Sequence, residues 1–259
     1  MPIKLNGSTS GYTQISAPAT AGNNTLVLPA NNGTSGQYMQ TDGSGNLSFA
    51  NVTIPYYGFY NMSVGTYTTA SNSSGSSLVW NSNGNLTWTV PTGITVAKFT
   101  LVGGGASGGV QASGQASGGG AGGIAIKVVT GLTPGATIAI LIGAGASGGA
   151  GGNSTVGSPA NLVANGGAAG ATAGVISVLG GTATGGTINI QGGFGMPGFT
   201  WAGVGSNAGN GGSNMFGAGG ANTSANQATG SNGTGYGAGG AGGLSAAGVG
   251  TGGLCIIEF

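Results

Sequence analysis

The sequence predicts a mainly β protein with little or no α-helix, built from three successive regions. Short runs of alternating apolar and polar residues favour strands over helices. Clusters of Gly, Asn, Ser and Pro separate these runs at short intervals, as turns do. Glycine is also spread unevenly, because residues 1–100 hold 12 of the 64 glycines and residues 101–259 hold the other 52. The main boundary in composition therefore lies near Gly103.

The chain is almost devoid of ionisable side chains. Its 259 residues include three Lys, two acidic residues, no Arg and no His, whereas an average domain is about a quarter charged. General acid–base catalysis needs a titratable group beside the reacting proton, and a serine nucleophile needs a base. A metal site needs clustered His, Cys or carboxylate ligands. We therefore expect no catalytic residues, no metal site and no cofactor.

The same inventory argues against nucleic-acid binding. Affinity for phosphate comes from Lys and Arg, and Lys4, Lys98 and Lys127 are too scattered to form a basic groove. The aromatic cluster at residues 56–60 could stack on bases, but without flanking cations it is interpreted as core or interface. Cys255 is the only cysteine, which excludes an intrachain disulfide, and its apolar neighbours predict a buried thiol.

The amino-terminal sequence predicts no targeting segment. Residues 1–6 become polar at once and lack the apolar stretch of a signal peptide. The longest apolar runs fall far short of the roughly 20 residues that span a membrane. We therefore expect synthesis in a cytoplasm and no membrane insertion.

Residues 1–55 are predicted to form a fibrous shaft of short strands. Strand-like pieces at 25–28, 38–41 and 46–49 are separated by turn residues. Pieces of this length cannot bury a core of their own. They need partners, and in a fibrous protein the partners are usually identical chains.

Residues 56–100 are predicted to form a small β connector rich in aromatic residues. Gly45-Asn-Leu-Ser-Phe49 recurs there as Gly84-Asn-Leu-Thr-Trp88. Both copies follow a turn sequence, and we interpret both as hairpins whose second strand carries an inward aromatic side chain.

Residues 101–259 are predicted to form a glycine-rich head. Strands are expected at 97–102, 124–129, 137–142 and 254–259, with glycine tracts between them. A collagen helix needs Gly at every third position and abundant Pro, but the register here breaks repeatedly and the chain has eight prolines. Extended helices like polyglycine II could pack side by side, because Gly lacks a Cβ and neighbouring backbones can then satisfy one another. Glycine-rich loops on a β-sandwich would give a similar sequence.

Several segments resemble one family. Thr25-Leu-Val-Leu-Pro29 and Gly33-Thr-Ser-Gly-Gln-Tyr-Met-Gln-Thr-Asp-Gly-Ser-Gly-Asn-Leu-Ser-Phe49 resemble a segment common in bacteriophage fibre and other virion proteins. Trp88-Thr-Val-Pro-Thr-Gly-Ile94, followed by Lys98-Phe-Thr-Leu-Val-Gly-Gly-Gly105, is similar to the entry of the glycine-rich carboxy-terminal domain of phage tail fibres. Residues 127–135 and the terminal Gly-Gly-Leu-Cys-Ile-Ile-Glu-Phe resemble later strands of that domain.

The resemblance implies a trimeric tail fibre or adhesin in a virion. Residues 1–55 would then join other tail or baseplate proteins, and the head would bind a host surface glycan or outer-membrane protein. A capsid fibre or decoration protein without a receptor remains an alternative. A glycine-rich ice-binding protein is a further alternative. Such a protein needs a flat face of regularly spaced Thr or Ala, and the glycine tracts here are irregular.

Receptor contacts are expected from bulky residues that stand among glycines. Exposed aromatic side chains supply contact area with few torsions to freeze. The alternative is that they fill the interior or the axis of the trimer. The candidates are Phe194, Met196, Phe199, Trp201, Met215, Phe216 and Tyr236.

Overall fold

The structure is a computed structural model, and its described residues contain strands and turns but no helix. The described residues are 3–6, 8–15, 18–20, 22–23, 25–51, 63–64, 77–80, 83–112, 115–172, 176–201, 205–222 and 228–259. The prediction of a mainly β fold is confirmed there. Nowhere in these ranges does a helix have the length and hydropathy needed to cross a membrane.

The chain divides into two compact units, Met1–Tyr57 and Gly58–Phe259. The first unit contains two antiparallel hairpins, β1 with β2 and β3 with β4. Their bounds are β1 Ile3–Asn6, β2 Tyr12–Ile15, β3 Gln37–Thr41 and β4 Leu47–Asn51. The predicted hairpin that ends in Phe49 is therefore confirmed.

Asp42 organises the turn between β3 and β4. Its carboxylate accepts a hydrogen bond from the Asn46 side-chain amide at 2.6 Å and from the backbone N–H groups of Ser44 and Asn46. These hydrogen bonds hold the pKa of Asp42 below its usual value, and the bond from the Asn46 side-chain amide has the largest effect. The turn sequence thus fixes the hairpin through an Asx turn.

The first unit exposes its apolar side chains. None of its side chains whose burial is described, between residues 3 and 50, is buried. An isolated two-stranded hairpin is marginally stable in water. The large exposed apolar residues of this unit are Ile3, Leu5, Tyr12, Ile15, Leu26, Val27, Leu28, Tyr38 and Met39.

The described part of the second unit contains two larger sheets and two small two-stranded sheets. In chain order its strands are β5 Ser63–Val64, β6 Ser77–Trp80, β7 Gly84–Thr89, β8 Val96–Val102, β9 Ile124–Thr130, β10 Thr137–Ile142, β11 Ser154–Val156, β12 Leu162–Ala164, β13 Ala183–Thr184, β14 Ile188–Ile190, β15 Phe199–Trp201, β16 Gly205–Asn207, β17 Gly217–Ala218, β18 Thr234–Gly235 and β19 Leu254–Glu258. The six-stranded sheet has the order β14-β9-β8-β19-β6-β5, and the five-stranded sheet has the order β13-β12-β11-β10-β7. The four strands predicted in the head are β8, β9, β10 and β19.

The main core is formed by inward side chains of both sheets. Phe99 and Ile257 come from the six-stranded sheet, and Trp88 and Ile138 come from the five-stranded sheet. The rings of Trp88 and Phe99 meet edge to face, with centroids 5.6 Å apart. Cys255 is buried in the same core, as predicted, and burial raises the pKa of its thiol. A thiol so protonated is a poor nucleophile.

The second predicted hairpin, around Trp88, is wrong. Strand β7 does not pair with β6. It pairs with β10, where Leu86 lies opposite Ile140 and Trp88 lies opposite Ile138. The reason is hydrophobic matching, because β10 presents an apolar row in register with that of β7. The local turn sequence, shared with the first hairpin, did not decide the pairing.

Ser154 joins the two sheets. Its buried hydroxyl donates to the Val102 carbonyl at 2.7 Å and accepts from the Gly143 N–H at 2.9 Å. Ser154→Ala would remove both of these buried hydrogen bonds, and we expect a loss of about 1–3 kcal/mol in the free energy of unfolding. Urea denaturation followed by circular dichroism measures it. The exposed Ser147 supplies the control, since Ser147→Ala should stay within about 0.5 kcal/mol of wild type. Equal losses in the two variants would contradict the role of Ser154.

Candidate functional site

Extended glycine-rich stretches, here called the glycine segments, continue from the strands of the second unit. They pack against one another through backbone hydrogen bonds and carry no helix and few strand residues. The glycine segments are residues 103–109, 115–123, 143–146, 149–153, 165–171, 178–182, 191–196, 208–213, 218–222, 229–233, 237–243 and 248–253.

The hydrogen bonds of the glycine segments repeat every three residues. In the first segment, the N–H groups of Gly103 and Ala106 donate to residues of 115–123. The next residues in turn, Gly104 and Ser107, donate to residues of 149–153, and the residues after them donate to 248–253. The first segment thus bonds to three neighbours in rotation, and its backbone N–H groups are satisfied.

At closely packed glycine positions the glycine segments leave no room for a side chain. A Cβ atom added to Gly105 would lie 1.9 Å from the carbonyl oxygen of Ala238, and one added to Gly108 would lie 2.0 Å from that of Ala241. Neither distance is compatible with a real Cβ contact. Glycine at positions 105 and 108 is therefore required by close backbone approach and not by turn geometry.

The glycine segments have a sheet end and a loop end. The segments that leave β8, β12 and β14 run to turns, and the chain then returns toward the sheets. The loop end is defined by the described residues 110–112, 115, 172, 176–177, 197–201, 205–207, 222, 228 and 244–247. Hydrogen bonds join neighbouring loops. The Gln115 amide donates to the Thr200 hydroxyl at 2.9 Å, and the Ser245 N–H donates to the Ala228 carbonyl at 2.8 Å.

The loop end carries no formal charge. All residues from 128 to 257 are uncharged, and so are residues 110–115. Its polar groups are amides and hydroxyls, such as those of Gln115, Thr200 and Asn222. The Asn222 amide donates to the Ala208 carbonyl at 2.8 Å, while its Oδ1 is buried without a hydrogen-bond partner. Such a surface can hydrogen-bond and stack on a neutral ligand but offers no ion pair.

Four of the seven predicted contact residues lie at or beside the loop end. Phe199 and Trp201 belong to β15, which pairs with β16 in a short hairpin. The Phe199 side chain is 44% exposed, whereas the side chain of Trp201 lies outside the described residues. Met196 is exposed just before this hairpin, and Phe194 is exposed on the glycine segment that leads to it.

The other three predicted residues lie at the sheet end. Met215 is 65% exposed in the turn before β17. Phe216 and Tyr236 are half-buried and pack against a small cluster formed by Val102, Ile124 and Leu254. These two aromatic residues therefore cover a face of the six-stranded sheet. The structure does not bring them together with Phe199. The aromatic cluster at 56–60 lies outside the described residues.

The sequence reasoning missed further residues of the loop end. Val110 and Ile176 are exposed there, and Gln115 and Asn222 supply amides. A signal was present, since non-glycine runs interrupt the glycine tracts at 110–113 and 221–227. Among the described residues there is no group of three or more His, Cys, Asp or Glu that could hold a metal ion.

No protein-family model matches the sequence, and no curated protein matches it significantly.

Proposed function

We propose that the chain is a virion structural protein, a bacteriophage tail fibre or adhesin that binds a host cell-surface receptor through its loop end. The observation that carries the proposal is the placement of five loops at one end of a closely packed glycine-rich body. Recognition surfaces commonly lie on loops that a rigid scaffold positions. The near absence of ionisable groups supports a binding role without catalysis.

The glycine segments fit packed extended helices of the polyglycine II type. Such helices have three residues per turn, which accounts for hydrogen bonds that return to the same neighbour at every third residue. Ordering glycine is costly in conformational entropy, and lateral hydrogen bonds together with the sheet core offset that cost. The result would be a stiff platform on which loops can differ without altering the body.

A homotrimer would account for the first unit. This unit exposes Ile3 and Leu5 on β1 and Leu26 and Leu28 between its two hairpins, and identical chains could cover these side chains. The same region would attach to other tail or baseplate proteins. In such an assembly the head would project its loop end toward the cell.

A neutral loop end favours recognition by shape, stacking and hydrogen bonds. Long-range charge steering needs clusters of one sign, and the loop end has none. A host surface glycan or an outer-membrane protein loop would suit these contacts.

Replacing Phe199 and Trp201 together by Ala is expected to lower adsorption to intact host cells at least about tenfold. Loss of two aromatic anchors commonly costs 2 kcal/mol or more, about a tenfold change per 1.4 kcal/mol. Adsorption of purified phage particles with the variant chain measures the effect, and particle assembly should be unchanged. Met215→Ala is the control, because Met215 is more exposed but lies at the sheet end.

Unchanged adsorption of the double variant would contradict the receptor site. Electron microscopy of the virion tests placement separately. A position at the tail is expected, and a position on the capsid would favour a decoration protein without a receptor.

A further inference from the structure

The outward face of the six-stranded sheet is apolar across four adjacent strands. Strand pairing aligns Leu254, Val102, Ile124 and Ile190 in one row. The next row holds Ile256, Thr100, Ile126 and Ile188, and a third holds Glu258, Lys98 and Val128. Residues directly opposite one another in a pleated sheet share a face, so these rows form one surface.

Leu254, Val102 and Ile124 of the first row and Thr100 of the second row are buried. Phe216 and Tyr236 pack over the cluster of Val102, Ile124 and Leu254. Beyond it, Val128 is 55% exposed and Ile188 is 52% exposed. The surface that remains accessible, here called the outer patch, comprises the exposed side chains of Val96, Val128, Ile188 and Ile190 and the half-buried side chains of Ile126 and Ile256. Contiguous exposed apolar surface of this kind marks an interaction site.

We propose that the outer patch is the contact between heads of identical chains. This inference rests on the proposed oligomeric fibre. The small area of the outer patch favours a second copy of this chain as its occupant. Four strands about 4.8 Å apart and about five residues long give a face of only a few hundred Å², below the roughly 800 Å² per partner of a stable complex. A freely diffusing partner would therefore bind weakly, whereas copies joined through residues 1–57 would meet at high effective concentration.

The charge of the outer patch fits the same occupant. Lys98 and Glu258 pair at 2.8 Å on the same face, which leaves it without net charge and suited to facing its own copy. The patch lies on the sheets, and its burial would leave the loop end free.

The test measures distances between copies in the full chain. Thr130 is exposed on β9, opposite Val96, and Thr130→Cys accepts a spin label while the buried Cys255 does not. Packed sheets lie about 10 Å apart, so pulsed electron paramagnetic resonance should find inter-copy distances within about 20 Å. Adding Val128→Glu and Ile188→Glu should abolish these short distances, because burial of unpaired carboxylates is costly.

Ile176→Glu is the control, because Ile176 is equally exposed but lies at the loop end, and it should keep the short distances. A chain that is monomeric at all concentrations would overturn the proposal. So would an oligomer whose labels at position 130 are far apart, or one in which the two glutamates change nothing. Adsorption of the variant with Phe199→Ala and Trp201→Ala tests the receptor site independently. The proposed receptor site and the proposed contact between heads can therefore fail separately.

Discussion

Gly105→Ala is expected to destabilise the second unit by more than about 4 kcal/mol, enough to prevent folding of a domain whose total stability is of the usual 5–15 kcal/mol. The added Cβ would lie 1.9 Å from the Ala238 carbonyl oxygen and 2.3 Å from its carbonyl carbon. Neither of these two backbone segments can move away easily. Gly105 donates to the Thr251 carbonyl, and the Ala238 N–H donates to the Thr251 hydroxyl, both at 2.8 Å. Separating the segments would break bonds that hold several neighbours at once.

Soluble yield and the midpoint of urea denaturation measure this loss. Gly148→Ala is the matched control, since a Cβ there meets nothing within 4 Å and the backbone is not left-handed. That variant should be unchanged or more stable by about 0.4–1 kcal/mol, because Ala restricts the unfolded chain. If Gly105→Ala proved as stable as Gly148→Ala, the close packing of the glycine segments would be refuted.

The strands of the second unit could be predicted from the sequence because each carries its own pattern. In β10 the side chains of Ile138, Ile140 and Ile142 are buried while alternate residues are not. The glycine segments carry no such pattern. Gly118, Gly119 and Gly120 are chemically identical, yet their N–H groups donate to Met196, Gly240 and Ala168. Tertiary arrangement alone assigns these partners, and no local signal could have predicted them.

The candidate site was predictable in residue type but not in place. Phe199 and Phe216 share one signature, a bulky residue among glycines. Phe199 lies in a loop at the far end of its glycine segment, whereas Phe216 lies in the next turn back, over the six-stranded sheet. Successive turns fall at opposite ends of the glycine segments. Deciding which turn is which requires the direction of each segment, and composition does not contain it.

Trp88→Ala is expected to lower the free energy of unfolding by about 3–5 kcal/mol, the usual cost of emptying a large buried aromatic site. Trp88 is fully buried between the sheets, with its ring 5.6 Å from that of Phe99 and 5.4 Å from that of Phe259. Urea denaturation followed by far-ultraviolet circular dichroism avoids dependence on the tryptophan signal itself. Met215→Ala, at an exposed site, should stay within about 0.5 kcal/mol of wild type.

Trp88→Phe should cost much less, below about 2 kcal/mol. The indole N–H of Trp88 is buried without a hydrogen-bond partner, and an unpaired buried donor carries a penalty of about 1–3 kcal/mol. Phenylalanine removes that donor while keeping most of the ring contact with Phe99. Losing the penalty of the unpaired N–H therefore offsets part of the free-energy cost of the cavity, which is itself smaller than in Trp88→Ala. Should Trp88→Phe prove as damaging as Trp88→Ala, the indole N–H must have a partner in solution. The order of the two variants therefore tells whether the core is held at this point by packing alone or by packing and a hydrogen bond.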